Sequence, residues 1–470
     1  MARCESLTTA AWYGDEPLPL EVPKRWRVTT WWPHTPAPLS DGEIAAAFER
    51  PIGQAPIREL ARGRSRPLVI VDDLTRPTPA GRVLPVVLRH LADAGIPAEA
   101  VRILVGTGTH EPPSKDAIFK KVGPEAASSC SLLVHDHTRS LTRIGRTSFG
   151  TPVVVNREVL TSDLLIGVGG VYPQHTTGFG GGSKLALSIL GKRSIISLHY
   201  GHPSMEGSYE VRNDFRRDLD EISRMIGLAT SASLHVDASR RVVRVTTGDT
   251  LRHYQQAVGF SLRAYQAPLP SGADVVVSNA YPIDVSLTFM RSKGITPLLH
   301  AKPGASRVLL SACSEGVGHH GLFPFANGTR FQRPAHLARK VRVQPRAAAA
   351  KAGGLAVRRV RAAVSERRAG TASKPAGQAG VRPILLYVPG QRPGSLPADL
   401  PGMTLVYKWE DVLARIADEQ GGRDALEVVV YPCAPLQVLD GTAGASDRAV
   451  TASTGPTDPS EDTDTPCSSS

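Results

Sequence analysis

Short apolar runs recur along this chain. Each is followed by a turn bearing glycine, threonine or histidine and then by an amphipathic stretch, and that alternation leaves few possible folds. PLVIVDD (67–73) reads as a buried strand, and GRVLPVVLRHLADAG (81–95) as a helix closed by Gly95. VRILVGTGTH (101–110), SLLVHD (131–136) and DLLIGVGG (163–170) are strands running into loops. Helices are predicted over Lys184–Ser197, Arg212–Gly227 and Leu251–Tyr265. ADVVVSNAYP (273–282) opens a second unit whose later strands are RVLLSA (307–312), PILLYVPG (383–390), TLVYKW (404–409) and ALEVVVYP (425–432). The expected fold class is therefore α/β: two domains with doubly wound, mostly parallel sheets and the active site in the crevice between them. Such sheets bind ligands beyond the C-terminal ends of their strands.

At 470 residues the chain exceeds one ordinary core. The expected division is 1–270, carrying the chemical motifs, then 271–440 with a basic insertion at 330–380, then a tail at 441–470 rich in Ser, Thr, Asp, Gly and Pro and expected to be disordered. No run of 18 apolar residues occurs, and MARCESLTTAAWYGDE lacks a basic-then-apolar leader pattern; a cytoplasmic location with no membrane partner is expected. Cys4, Cys130, Cys313, Cys433 and Cys467 are far apart and read as reduced thiols. Of the formal charge of +12, nearly all comes from 330–370, which holds twelve Lys/Arg against the single acid Glu366. The rest is near neutral, which argues against nucleic acid; the basic segment reads as a solvated insertion, with a patch for an anionic partner as the alternative.

Three motifs fall where a parallel sheet places its ligands. In Asp73-Leu74-Thr75-Arg76-Pro77 the arginine offers a fork for a carboxylate or phosphate. Gly106-Thr107-Gly108-Thr109-His110 sets a histidine at a strand end with small neighbours, suited to a general base. QHTTGFGGGSK (174–184) sets His175 and Lys184 on either side of a glycine-rich turn, where a lysine can bond covalently to a cofactor. This turn fits neither the G-x-x-x-x-G-K-[ST] nor the G-x-G-x-x-G phosphate pattern, which disfavours ATP hydrolysis and ordinary NAD binding. His199 and His202 follow, and at least one of them is expected to bind metal. His135 and His137 flank Asp136, and His319-His320 is assigned no role.

The order DDLTRPTP, GTGTH, HD, H-x8-K and then a histidine one short helix later resembles the nickel-dependent lactate racemase family, as do YGDEPLPLEVP and NAYPIDVSL. The resemblance spans about residues 12–320. It implies nickel held in a nickel-pincer nucleotide, a nicotinate-derived mononucleotide with two sulfur groups, tethered to Lys184. It further implies His199 as nickel ligand, His110 and His175 as the acid–base pair, and Asp73, Thr75 and Arg76 as cofactor or substrate contacts. Arg76 would pair with the substrate carboxylate, and Lys293 would also bind substrate.

The implied activity is racemisation or epimerisation of a small-molecule 2-hydroxy acid. The alternatives are a hydride-shuttle oxidoreductase with the same cofactor and a non-catalytic nucleotide- or metal-binding homologue. The chain departs from the family where Phe289 and Ser292 replace a glutamine and a lysine, with Lys293 one place late; Phe289 suits a larger or less polar substrate than lactate. Ser188 stands where the family usually has proline.

Overall fold

The computed structural model describes residues 3–174, 176–202, 209–320 and 382–441, without the side chains of 3 and 291–293. Two six-stranded sheets organise it. In the first, the strand order is Val242–Asp249, Thr230–Val236, Leu164–Gly170, Pro67–Asp72, Arg102–Gly106, Ser131–Val134; all neighbours are parallel except the first pair. The second sheet runs Met403–Val406, Ile384–Tyr387, Ser306–Leu310, Val275–Asn279, Glu427–Tyr431, Arg27–Thr30 and is parallel throughout.

Helices cover both faces of the first sheet, so its central strands are buried along their whole length. Successive side chains point to opposite faces. Val69 and Val71 pack in one core with the helix Leu84–Asp93. Leu68 and Ile70 pack in another, with Leu185, Leu198, Phe215 and Leu219. That second core rests on the helices Lys184–Leu187, Lys192–Gly201 and Asp214–Ile226. The last of these is well defined by sequence: Asn213 caps its start by accepting from Arg216 N at 2.9 Å, and Gly227 ends it at φ +76°.

The chain is wound so that Pro67–Asp72 connects onward to one side of the first sheet and Leu164–Gly170 to the other. Their C-terminal ends form its switch point, where a doubly wound sheet opens a crevice. Asp72 ties the two ends together, accepting from Gly170 N at 3.1 Å and Thr78 Oγ1 at 2.9 Å. The second sheet has its own switch point between Val275–Asn279 and Glu427–Tyr431. Loops from both ends meet in one apolar cluster that joins Tyr172 and Tyr265 to Ile283, Phe289 and Leu436.

Two expectations change. The first thirty residues, placed by sequence in the N-terminal unit, serve the second sheet: Arg27–Thr30 is its edge strand, and Leu7, Leu20 and Val22 lie in its core. The reason is a turn at 10–15, where Ala10, Trp12 and Asp15 have positive φ. Buried Asp284 accepts from Ala10 N at 2.9 Å and Ala11 N at 3.1 Å, docking this turn on the second sheet. The helix expected over 184–197 is broken after Leu187 and restarts at Lys192. Its carbonyls leave the helical pattern for neighbours: Ser188 O accepts from Gly108 N, Ile189 O from Asn156 N, and Leu190 O from the buried ring of His135. The basic segment 330–370 and the tail 442–470 lie outside the described residues. Among those residues no helix is long and apolar enough to cross a membrane.

Candidate active site

His110 sits at the end of the GTGTH turn. The turn is set by Gly108, at φ +58°, and by Thr107 Oγ1 donating to His135 O at 2.8 Å. The imidazole Nδ1 lies 2.5 Å from Asp73 Oδ2. Asp73 Oδ1 in turn accepts from the backbone N–H of Thr75 at 3.1 Å and from its hydroxyl. Burial opposes the charge on Asp73, but His110 and Arg76 outweigh it and hold the carboxylate well below its usual range. Burial lowers the pKa of His110; Asp73 opposes this, while Arg76 and Lys184 add to it. The stable arrangement is an aspartate accepting Nδ1–H from a neutral imidazole, which places the basic lone pair on Nε2. Asp73 and Thr75, expected as cofactor or substrate contacts, also hold His110 in place through the Asp73 carboxylate.

Arg76 follows in the same loop, its Cζ 5.8 Å from the ring centroids of both Tyr172 and Phe289. Burial works against its charge, and Tyr172, Asp73 and Asp72 more than restore it. Beneath the loop lies Lys121, which sequence reasoning missed. It is almost fully buried, 2.5 Å from Asp72, and donates to Arg76 O at 3.2 Å. Its sequence signal was faint, a lysine on an otherwise amphipathic helix.

The glycine-rich turn is built differently from expectation. Its glycines answer to the protein's own packing: a Cβ on Gly181 would meet Val171 at 2.7 Å, and one on Gly182 would meet Tyr254 at 2.9 Å. Both also have positive φ, at +76° and +56°. Buried Arg216, again unforeseen, gathers the turn by donating to Gly181 O and Ser183 Oγ, each at 3.1 Å, and to Phe179 O. The turn delivers Lys184, whose Nζ lies 5.7 Å from the Phe215 ring.

His199 is on the next helix. Its Nδ1 lies 2.9 Å from Ile195 O; a carbonyl can only accept, so Nδ1 carries the proton and Nε2 the lone pair. Burial, with Lys184 adding, pushes its pKa down to about 3. His202 is engaged otherwise, its Nε2 2.8 Å from Asp218 Oδ2. His175 lies outside the described residues, and Lys293 lies in the helix Leu287–Gly294 with its side chain outside them. His320, assigned no role by sequence, comes to the site. Its ring is 5.1 Å from that of His110, and their backbones form an isolated bridge. The positive or protonatable groups His110, His199, His320, Arg76 and Lys184 thus lie within electrostatic range of one another.

The fold is an α/β one with two mostly parallel sheets, and His110, Arg76 and Lys184 come from loops and a turn at the C-terminal ends of the first sheet's strands. The comparisons with known proteins make this specific. Residues 13–209 match the lactate racemase N-terminal domain. The chain is 26% identical over 296 residues to a lactate racemase of Lactiplantibacillus plantarum, covering 61% of this chain and 69% of the relative. It is 26% identical over 289 residues to that of Thermoanaerobacterium thermosaccharolyticum, covering 60% and 67%. In structure it is similar to the lactate racemase apoprotein of T. thermosaccharolyticum, with TM-score 0.63 and 18% identity over 93% of this chain and all of that one. A Thermotoga maritima protein gives 0.52 and 15%, over 86% of this chain and all of that one. Residues 13–209 thus match a lactate racemase N-terminal domain, and about 60% of the chain is similar to lactate racemases.

Proposed function

We propose that this protein is a racemase or epimerase of a 2-hydroxy acid, working by proton-coupled hydride transfer. The observation that carries this is the convergence of His110, oriented by Asp73 at 2.5 Å, with Arg76, Lys184 and His199 at one strand-end crevice. Exchanging the configuration of an α-carbon needs a proton acceptor on either side of it, an anchor for the carboxylate and a reversible hydride acceptor. Arg76, kept charged by Asp72 and Asp73, pairs with the carboxylate. His110 Nε2 takes the hydroxyl proton and, once the flat 2-keto acid has formed, returns it. The resemblance assigns the second acid–base role to His175.

The hydride chemistry falls to the nickel-pincer nucleotide implied by the family, which when bound supplies reversible hydride acceptance. The residues present fit such a group. Among those described, no cluster of three or more His, Cys, Asp or Glu side chains could hold a metal ion, so a nickel ion would take most of its donors from an organic ligand. His199 has the form of a single protein ligand: a neutral imidazole whose second nitrogen donates to a backbone carbonyl. Lys184 is the amine for the tether, presented by a turn fixed on Arg216.

The test is racemisation of enantiopure 2-hydroxy acids by protein made in cells that synthesise the cofactor, followed by chiral chromatography. Appearance of the opposite enantiomer without net loss of hydroxy acid is expected. Accumulation of keto acid with a stoichiometric reduced product would show an oxidoreductase instead.

A further inference from the structure

The proposed function accounts for three of the four substituents on the substrate's α-carbon: the carboxylate at Arg76, the hydroxyl at His110 and the hydrogen to be transferred. The fourth, the substrate's side chain, must meet what lies beside both Arg76 and His110. Phe289 meets that condition, its ring centroid 4.6 Å from His110, edge-on at 71°, and 5.8 Å from Arg76 Cζ. His320 stands next to it, 6.1 Å from the Phe289 ring and 5.1 Å from His110. The backbone bridge between His320 and His110 fixes this part of the second domain against the catalytic loop of the first. Tyr172 also lies beside Arg76, its ring centroid 5.8 Å from Cζ. Burial, together with His110, His199, Arg76 and Lys184, lowers the pKa of His320 well below its usual value, so the wall it offers is an uncharged ring.

A ring-sized apolar group gains edge-to-face packing in addition to its buried area.

Resting on the racemase reading, we infer that His320 is a specificity-determining residue which, with Phe289, forms the pocket for the substrate's side chain, and that this side chain is an aryl or similarly large apolar group.

The test compares racemisation of lactate, 3-phenyllactate and malate by the nickel-loaded holoenzyme and by the variants His320→Ala, His320→Phe and Phe289→Ala. The wild type is expected to favour 3-phenyllactate over lactate in kcat/KM by about tenfold or more, the discrimination an apolar pocket achieves. His320→Ala and Phe289→Ala should each remove most of that preference, bringing the ratio of kcat/KM for 3-phenyllactate over lactate toward one. His320→Phe should keep it. A wild type that prefers lactate or malate, or a His320→Ala variant that lowers all substrates alike, overturns the inference.

Calorimetric binding of phenylpyruvate and pyruvate to wild type and His320→Ala gives a readout independent of turnover. A fall in the affinity ratio supports the pocket, and an unchanged ratio contradicts it. Nickel-loaded wild type that racemises none of the three acids brings down the proposed function, and the inference with it.

Discussion

Two histidine–aspartate pairs of almost the same chemistry stand in different parts of this molecule. His110 and Asp73 join the loops that leave two neighbouring strands, at 2.5 Å; His202 and Asp218 join the end of one helix to the middle of the next, at 2.8 Å. Both are buried, with the histidine side chains 11% and 6% exposed, so neither distance nor burial separates them. Their surroundings do. Asp218 also accepts from Thr151 Oγ1 at 2.7 Å, and His202 packs on Phe149 and Phe215. This second pair closes a seam between helices. The first faces Arg76 and Lys184 at a sheet's switch point. Distance and burial alone do not make a buried His–Asp pair catalytic: His202 even shares the Phe215 ring with His199, but its aspartate is also held by Thr151 between helices.

The sharpest way to break this comparison is to remove each histidine. His110→Ala should lower racemisation on the order of 10³-fold, within the range of a lost general base, in a chain that circular dichroism shows to be folded. His202→Ala should do the reverse: activity per folded molecule persists, while chemical denaturation shows a loss of about 2 kcal/mol because buried Asp218 keeps, among the described residues, only the Thr151 hydroxyl as a hydrogen-bond partner. Equal loss of activity in both would erase the distinction.

Asp73→Asn tests orientation at the first pair. The maximal rate should fall about 10²-fold, because the amide no longer enforces the Nδ1–H tautomer. Since Asp73 raises the pKa of His110, the acid limb of the pH–rate profile should also move to lower pH. A limb moving to higher pH would contradict the assigned electrostatics.

Much of the fold was legible because its strands are short apolar runs ended by turn residues; Pro67–Asp72, Leu164–Gly170 and Val275–Asn279 lie where the pattern put them. What escaped depended on distant partners. Nothing local in RVTT (27–30) says that it will be the edge of a sheet formed some 250 residues later; its partner is Glu427–Tyr431. The break after Leu187 depends on Gly108 and Asn156 taking its carbonyls. At the site, His110 and Lys184 were legible because each ends a motif of small residues. Arg216 and Lys121 were not, since a basic residue on an amphipathic helix normally faces solvent. His320 was passed over because only tertiary folding brings it to His110.

The histidines buried away from the site carry a pH effect of their own. Burial pushes His135 and His253 down to about 4 and His235 to about 3, from an ordinary 6.5. The unfolded chain therefore binds protons that the folded chain refuses. Stability should fall as pH drops from 6.5 toward 4, by up to about 1.4 kcal/mol per pH unit for each such histidine. Urea titrations over that interval measure it; a flat profile would mean that these imidazoles are protonated in place.

The most direct measurement is the mass of the proteolytic peptide carrying Lys184, together with the nickel content, in protein purified from cells that make the cofactor. The account predicts a mass increment on that peptide and about one nickel per chain, both absent from Lys184→Arg, with nickel also lost from His199→Ala. A protein that racemises 2-hydroxy acids while Lys184 remains unmodified and nickel is absent would contradict it.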